Sequence, residues 1–136
     1  MTQPELYLVI QLRLSVFVVE QNCPYQDCDN RDQPSWHLMA WEKEKLVAYS
    51  RLIPPGIAYP EASIGRVVTL KTMRGTHTGK ELMKQSVDKI YSLFGKVPIT
   101  IGAQLYLKGF YESGGFTMIS DVYLEDGIEH IKMRLP

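Results

Sequence analysis

The sequence predicts an α/β domain with a mixed sheet. Three observations carry this. Apolar runs of strand length recur at "LVAYSRLI", "IGRVVTL" and "VPITIGAQ". An amphipathic stretch over 78–95 lies between the last two, and a strand–helix–strand unit joins parallel strands. Two further runs meet at Asp126-Gly127, a strong hairpin dipeptide.

The elements follow in order. Residues 5–19, "ELYLVIQLRLSVFVV", are apolar nearly all round apart from Gln11 and Arg13. Length and leucines favour a helix packed on the sheet, although "VFVV" alone would suit a strand. Residues 20–35, "EQNCPYQDCDNRDQPS", carry Pro, Asn, Asp and Ser throughout and read as a long loop, a common place for function. "WHLMAWEK" and "EKLVAYSRLI" form a hairpin, ended by prolines at 54, 55 and 60. Residues 63–70 make a β-branched strand. Leu82, Met83, Val87, Ile90, Tyr91 and Phe94 share one stripe of the helix 78–95, which stops at Gly95. Residues 97–104 are a buried strand parallel to 63–70. A short helix over 105–115 ends in paired glycines, and a last hairpin turns at Asp126-Gly127.

The 136 residues suit one domain, 1–136, with one core. Apolar residues make up 45% and charged residues 22%, which excludes a mainly disordered chain. Fifteen basic residues balance fifteen acidic ones, so no overall footprint for nucleic acid is expected. No apolar run approaches the roughly 20 residues of a membrane span, and "MTQPELYLVI" lacks a basic leader region, so a cytoplasmic location is the default. Cys23 and Cys28 are expected as reduced thiols; their spacing matches no zinc pattern, and no metal is expected.

One stretch invites a ligand: Arg74 to Glu81, "RGTHTGKE", at the entrance of the 78–95 helix. A nucleotide-binding Walker loop is excluded, because only three residues separate Gly75 from Gly79 and Glu81 follows Lys80 where a Ser or Thr would hold magnesium. The dinucleotide pattern G-x-G-x-x-G is absent. What remains is a strand-to-helix turn with free N–H groups, a positive dipole end, and Arg74 and Lys80 beside it, which suits a pyrophosphate. The plain alternative is a junction capped by Thr76 or Thr78.

A second stretch, "GFYESGGF" (109–116), follows the next strand. The sequence strand–"RGTHTGKELM"–helix–strand–"FYESGGF"–strand resembles the GNAT superfamily of acetyl-CoA-dependent N-acetyltransferases, whose phosphate loop runs Arg/Gln-x-x-Gly-x-Gly/Ala. Arg74 and Gly79 match its ends, and His77 replaces its middle glycine. "VFVVEQNCPYQDCD" and "EDGIEHIKM" resemble the ElaA-like branch, and the similarity runs along nearly the whole chain. Members carry a further strand before the first helix; only "MTQP" precedes Glu5 here, so that edge strand is expected to be missing.

The resemblance implies a GNAT fold: a mixed, mostly antiparallel sheet, splayed at the two central parallel strands, with helices on both faces. Acetyl-CoA would lie in the splay as co-substrate. The backbone of Val67, Val68 and Thr69 would pair with the pantetheine arm. Arg74, Gly75, Thr76, His77, Thr78, Gly79 and Lys80 would hold the pyrophosphate. Tyr111 matches the position that protonates the departing thiolate, a role that suits a phenol with an ordinary pKa of about 10. Without the resemblance it would be an amphipathic core aromatic. Glu20 and His130 are candidate bases, and His37, Arg66 and Asp29 candidate substrate-binding residues. Arg13, Arg51 and Arg66 sit inside apolar runs and either face solvent or point into the cleft, paired with Asp29 or Asp32 or with a substrate carboxylate; Glu20, Asp27, Asp29 and Asp32 form either a solvated loop or a site for a cationic amine. The partner implied is an amine, small or on a protein, and the C-terminal hairpin edge would allow a homodimer. An alternative keeps the fold without catalysis, as an acyl-CoA-binding or regulatory module.

Overall fold

A computed structural model describes all residues, Met1–Pro136. Helix α1 (Gln3–Arg13) begins with a capping box: the Thr2 hydroxyl accepts from the Glu5 backbone N–H, and the Glu5 carboxylate accepts from the Thr2 N–H. It then widens into a π-helical segment, Leu14–Glu20. The bonds Gln21 N–H to Val16 carbonyl (3.0 Å) and Cys23 N–H to Val18 carbonyl (3.0 Å) span five residues. The "VFVV" stretch is thus helical.

Strands β1 (Trp36–Glu42), β2 (Lys45–Ile53) and β3 (Ser63–Thr69) form one antiparallel half-sheet in that spatial order. Helix α2 (Thr78–Phe94) leads to β4 (Ile99–Gln104) and, through a 3₁₀ turn, to the short helix α3 (Lys108–Glu112). Strands β5 (Thr117–Met118) and β6 (Tyr123–Glu125) both pair with β7 (Ile128–Leu135), whose other edge pairs with β4. The expected last hairpin is there, but its first arm is broken into β5 and β6.

The half-sheets touch through one parallel bridge, Ala62 to Ile99, closed by Thr100 N–H donating to the Ala62 carbonyl at 3.0 Å. Beyond it, β3 and β4 run in parallel without a ladder. This is the expected splay. The larger core underlies both halves: Leu52 and Ile64 from the first, Ile101, Ala103, Ile131 and Met133 from the second, with Met83 and Ile90 of α2 and Tyr111 and Phe116. A smaller core of Val9, Leu12, Val16, Leu46, Tyr49 and Val68 fixes α1 on the opposite face of the first half-sheet. Helices therefore cover both faces. No helix is long and apolar enough to cross a membrane.

Candidate active site

The splay has walls of β3 and β4, a phosphate-sized turn at one end, and Tyr111 nearby in the core. β3 is not regular. The β2–β3 register runs Tyr49 to Val68 and then Arg51 to Gly65, leaving an extra residue on β3. Arg66 occupies this bulge at φ 50°, in the left-handed region that suits an arginine poorly. Its side chain explains why the backbone stays there. Nε and Nη2 of Arg66 donate to Asp27 Oδ1 (3.1 Å) and the Asp27 carbonyl (3.1 Å), Nη2 reaches Asp29 at 3.3 Å, and the guanidinium lies 5.4 Å from the Tyr25 ring centroid. The bulge bends β3 just before Val67, Val68 and Thr69.

Three arginines hold the long loop in place. Arg13 and Arg51 are fully or almost fully buried. Arg51 grips both Asp29 oxygens at 2.8 Å and Asp32 at 2.9 Å. Arg13 meets Asp32 at 2.9 Å and Asp27 Oδ2 at 3.0 Å, the latter as an ion pair too poorly aligned for a hydrogen bond. Burial opposes the charge on Arg13, but Asp32 and Asp27 outweigh it and hold the guanidinium above its ordinary value. Asp29 is held well below the usual carboxylate range: burial opposes this, and the Arg51 hydrogen bonds, the Arg31 N–H and Arg66 overcome it. The acidic loop is thus neither a solvated loop nor a free cation site. Asp29 and Arg66 are spent on each other and on the loop.

His37 is similarly engaged. Its Nε2–H donates to the Asp32 carbonyl (3.0 Å), so its Nδ1 accepts from the Tyr49 hydroxyl (2.6 Å). Burial lowers its pKa and keeps it neutral. Neither nitrogen is left for a substrate. Glu20 stands at the end of the π segment, half-exposed, and takes both terminal nitrogens of Arg74, which also donates to the Thr69 carbonyl at 3.2 Å. Its pKa is lowered, first by the Arg74 hydrogen bonds. Glu20 and Arg74 thereby tie the end of the first helical segment to the turn that precedes α2.

His77 stands where the loop pattern has glycine, and it adopts glycine's conformation: φ 63°, ψ 6°, immediately before α2. The turn therefore keeps its shape with a side chain present. Gly75 adds a second left-handed position at φ 83°. The Thr76 and Thr78 hydroxyls bond each other at 2.8 Å, and His77 makes no side-chain cap, so the exposed N–H groups at the helix start keep no side-chain acceptor from it. Gly79 faces the Phe110 ring, 3.6 Å from where a Cβ would lie.

Tyr111 is 7% exposed, edge-on to Phe110 and Phe116 at centroid distances of 5.2 and 6.0 Å. Burial pushes its phenol far up, so it is protonated at any working pH. His130, on β7, is paired in register with Gln104 on β4. Its Nδ1–H donates to the Ile128 carbonyl at 2.7 Å, and its Nε2 lies 3.4 Å from Glu125 Oε2.

Three bonds carry the long loop across to the second half-sheet, and no local sequence signal points to them. Gln21 and Gln104 exchange amide hydrogen bonds at 3.2 Å, and the Cys23 thiol donates to the Asp126 carbonyl at 3.4 Å. Both cysteines are free, with Cys23 buried and Cys28 exposed.

Comparison with known proteins matches residues 12–136 to an acetyltransferase (GNAT) domain. The chain belongs to the GNAT acetyltransferase family. It is 41% identical to protein ElaA of Escherichia coli K12 over 131 residues, 95% of this chain and 86% of ElaA. The crystal structure of E. coli ElaA superposes with a TM-score of 0.93 over 100% of this chain and 93% of that one, at 38% identity. An acyl-CoA N-acyltransferase from Pseudomonas aeruginosa superposes at TM-score 0.94, with 41% identity and the same coverage. An aminoglycoside 6'-N-acetyltransferase solved with coenzyme A shares the fold at TM-score 0.72 and 18% identity. For this GNAT chain the coarse activity that follows is acyl transfer from an acyl-CoA.

Proposed function

We propose that this GNAT protein moves an acetyl group from acetyl-CoA to a primary amine, by direct attack within a ternary complex. The observation that carries the proposal is the splay itself. β3 and β4 are bridged once and then left with unpaired backbone edges, next to a helix start whose turn is held in glycine-like geometry by His77 and Gly75.

In this reading the β3 edge at Val67, Val68 and Thr69 pairs with the pantetheine arm, and the N–H groups from Gly75 to Lys80 take the pyrophosphate beside Arg74 and Lys80. The amine gives a proton to His130 Nε2, directly or through water. Its nitrogen then forms a bond to the acetyl carbon, and the carbon–sulfur bond breaks. The Tyr111 hydroxyl, kept neutral by burial, donates a proton to the departing thiolate. Glu20 orders the phosphate loop through Arg74 rather than taking the proton. His37, Arg66 and Asp29 shape the loop that borders the cleft.

Thermal unfolding with acetyl-CoA, CoA, ATP or NAD, each added separately, tests the cofactor. A ligand at about 100 times its Kd stabilises by roughly 2.7 kcal/mol. A shift with acetyl-CoA and CoA alone is expected; no shift with either sinks the proposal. Thiol release then tests the acid. Tyr111→Phe is expected to lose about 10²-fold or more in kcat while CoA still stabilises it. A variant with full turnover removes Tyr111 from the mechanism.

A further inference from the structure

Two phenols, an imidazole and a carboxylate gather on the open face of the second half-sheet. Along β4, Ile101 and Ala103 are buried in the larger core, so alternation turns Gly102 to the opposite face, where it is exposed. A Cβ at Gly102 would lie 3.1 Å from the Tyr59 hydroxyl and 3.3 Å from the Tyr123 hydroxyl. Two hydroxyls thus converge on bare backbone from distant segments, the loop after β2 and strand β6. His130 pairs with Tyr123 across β6 and β7, with the rings stacked 6.0 Å apart at 28°. Glu125 Oε2 stands 3.4 Å from His130 Nε2. Two residue pairs along from His130, Lys132 lies opposite Gly102 and holds its ammonium 5.7 Å from the centre of the Tyr59 ring. The patch already draws an ammonium from the protein itself. Burial, with Glu125, raises the Tyr59 phenol, and burial, with Tyr59 and Glu125, raises Tyr123 to about 12, so both stay neutral.

The position suits an acceptor. Gly102 and Gln104 lie on β4 beyond the single bridge to β3, so the patch borders the opened gap. It lies on the face opposite the one packed by α2 and Tyr111.

We propose that Tyr59, Tyr123, Glu125 and His130, over the floor made by Gly102, form the acceptor subsite and take a small primary alkylammonium. The assignment rests on the acyl-transfer reading above. Glu125 and the phenol ring faces attract the ammonium. His130 Nε2 receives its proton, and the free amine attacks across the gap. Gly102 sets the depth, because any side chain there displaces both hydroxyls.

The test is thiol-release kinetics with n-butylamine and 1,4-diaminobutane as probes, on the wild type, Glu125→Gln and Gly102→Ala. The Glu125 side chain is 61% exposed, so its replacement leaves the fold intact, and Tm reports the fold of the glycine variant. Each substitution is expected to raise the amine KM by about tenfold or more, with the acetyl-CoA KM within about twofold. An amine KM within about twofold of wild type in either folded variant overturns the subsite while leaving acyl transfer standing. A wild type that CoA stabilises but that uses neither probe overturns the alkylammonium assignment. A wild type that CoA does not stabilise marks the failure of the acyl-transfer reading itself.

Discussion

Replacing Arg13 with methionine tests whether the buried arginine network holds the protein together. Arg13 is fully buried and meets Asp32 at 2.9 Å, Asp27 at 3.0 Å, and the Tyr49 ring at 5.8 Å from its centroid. Methionine fills similar space with no charge. Asp32 keeps Arg51, and Asp27 keeps Arg66, but the Asp27 side chain is only 2% exposed and cannot turn to water. Breaking a buried pair by removing one partner costs about 3–5 kcal/mol, against about 0–1 kcal/mol for a surface pair. The remaining partners soften the loss, so about 3 kcal/mol is expected, or roughly 10 °C in Tm for a domain of this size. Urea unfolding gives the free energy, and a thermal scan gives Tm. Adding Asp27→Asn should recover part of the loss, since it removes the stranded charge. A loss under about 1 kcal/mol, or no recovery in the double variant, would refute the reasoning and show the network to be energetically silent.

Three further outcomes are expected. His77→Gly should raise stability by up to about 1 kcal/mol in urea, because the left-handed conformation strains histidine, while His77→Val should lower it. At the β3 bulge, Arg66→Ala loses the anchor to Asp27 that holds the left-handed backbone in place, whereas Arg66→Gly loses the anchor but adopts that backbone without strain; calorimetry should find CoA bound about tenfold more weakly by the alanine variant than by the glycine variant. Stability should fall in two stages on acidification. His37 has a lowered folded pKa, so the unfolded chain takes up a proton first, and the decline starts as pH drops below about 6.5; Asp29 and Asp32, also lowered, contribute fully above about 3.9 and lose that contribution as pH falls further. His37→Gln should flatten the first stage in a Tm-against-pH series and leave the second.

The parts of the fold that follow from local pattern were legible. The stripe from Leu82 to Phe94, the hairpin of β1 and β2, and the parallel run of β3 and β4 came from periodicity and turn residues alone. The π segment did not, because five-residue bonding leaves no distinct apolar period in "LSVFVVE". The break between β5 and β6 lies in "ISDV", where Ser120 and Asp121 are turn-type residues that interrupt an otherwise apolar run. Arg13, Arg51 and Arg66 stood out as charges in apolar runs, but only tertiary structure shows that Asp27, Asp29 and Asp32 are their common partners. The left-handed turn at His77 was implicit in a glycine pattern that it interrupts. The meeting of Tyr59 and Tyr123 over Gly102 had no local sign: it depends on a loop and a strand far apart in the sequence.

The lone bridge between Ala62 and Ile99 also bears on how the empty protein behaves. Sheet edges are normally found at the rim, where charges, bulges and prolines discourage another strand from docking. Here two edges lie at the centre, guarded by the Arg66 bulge on one side and by the Gln21–Gln104 amide pair at the far end. These two inner edges form an unpaired seam through the middle of the sheet, and an extended backbone laid along it would close it as a neighbouring strand closes a rim.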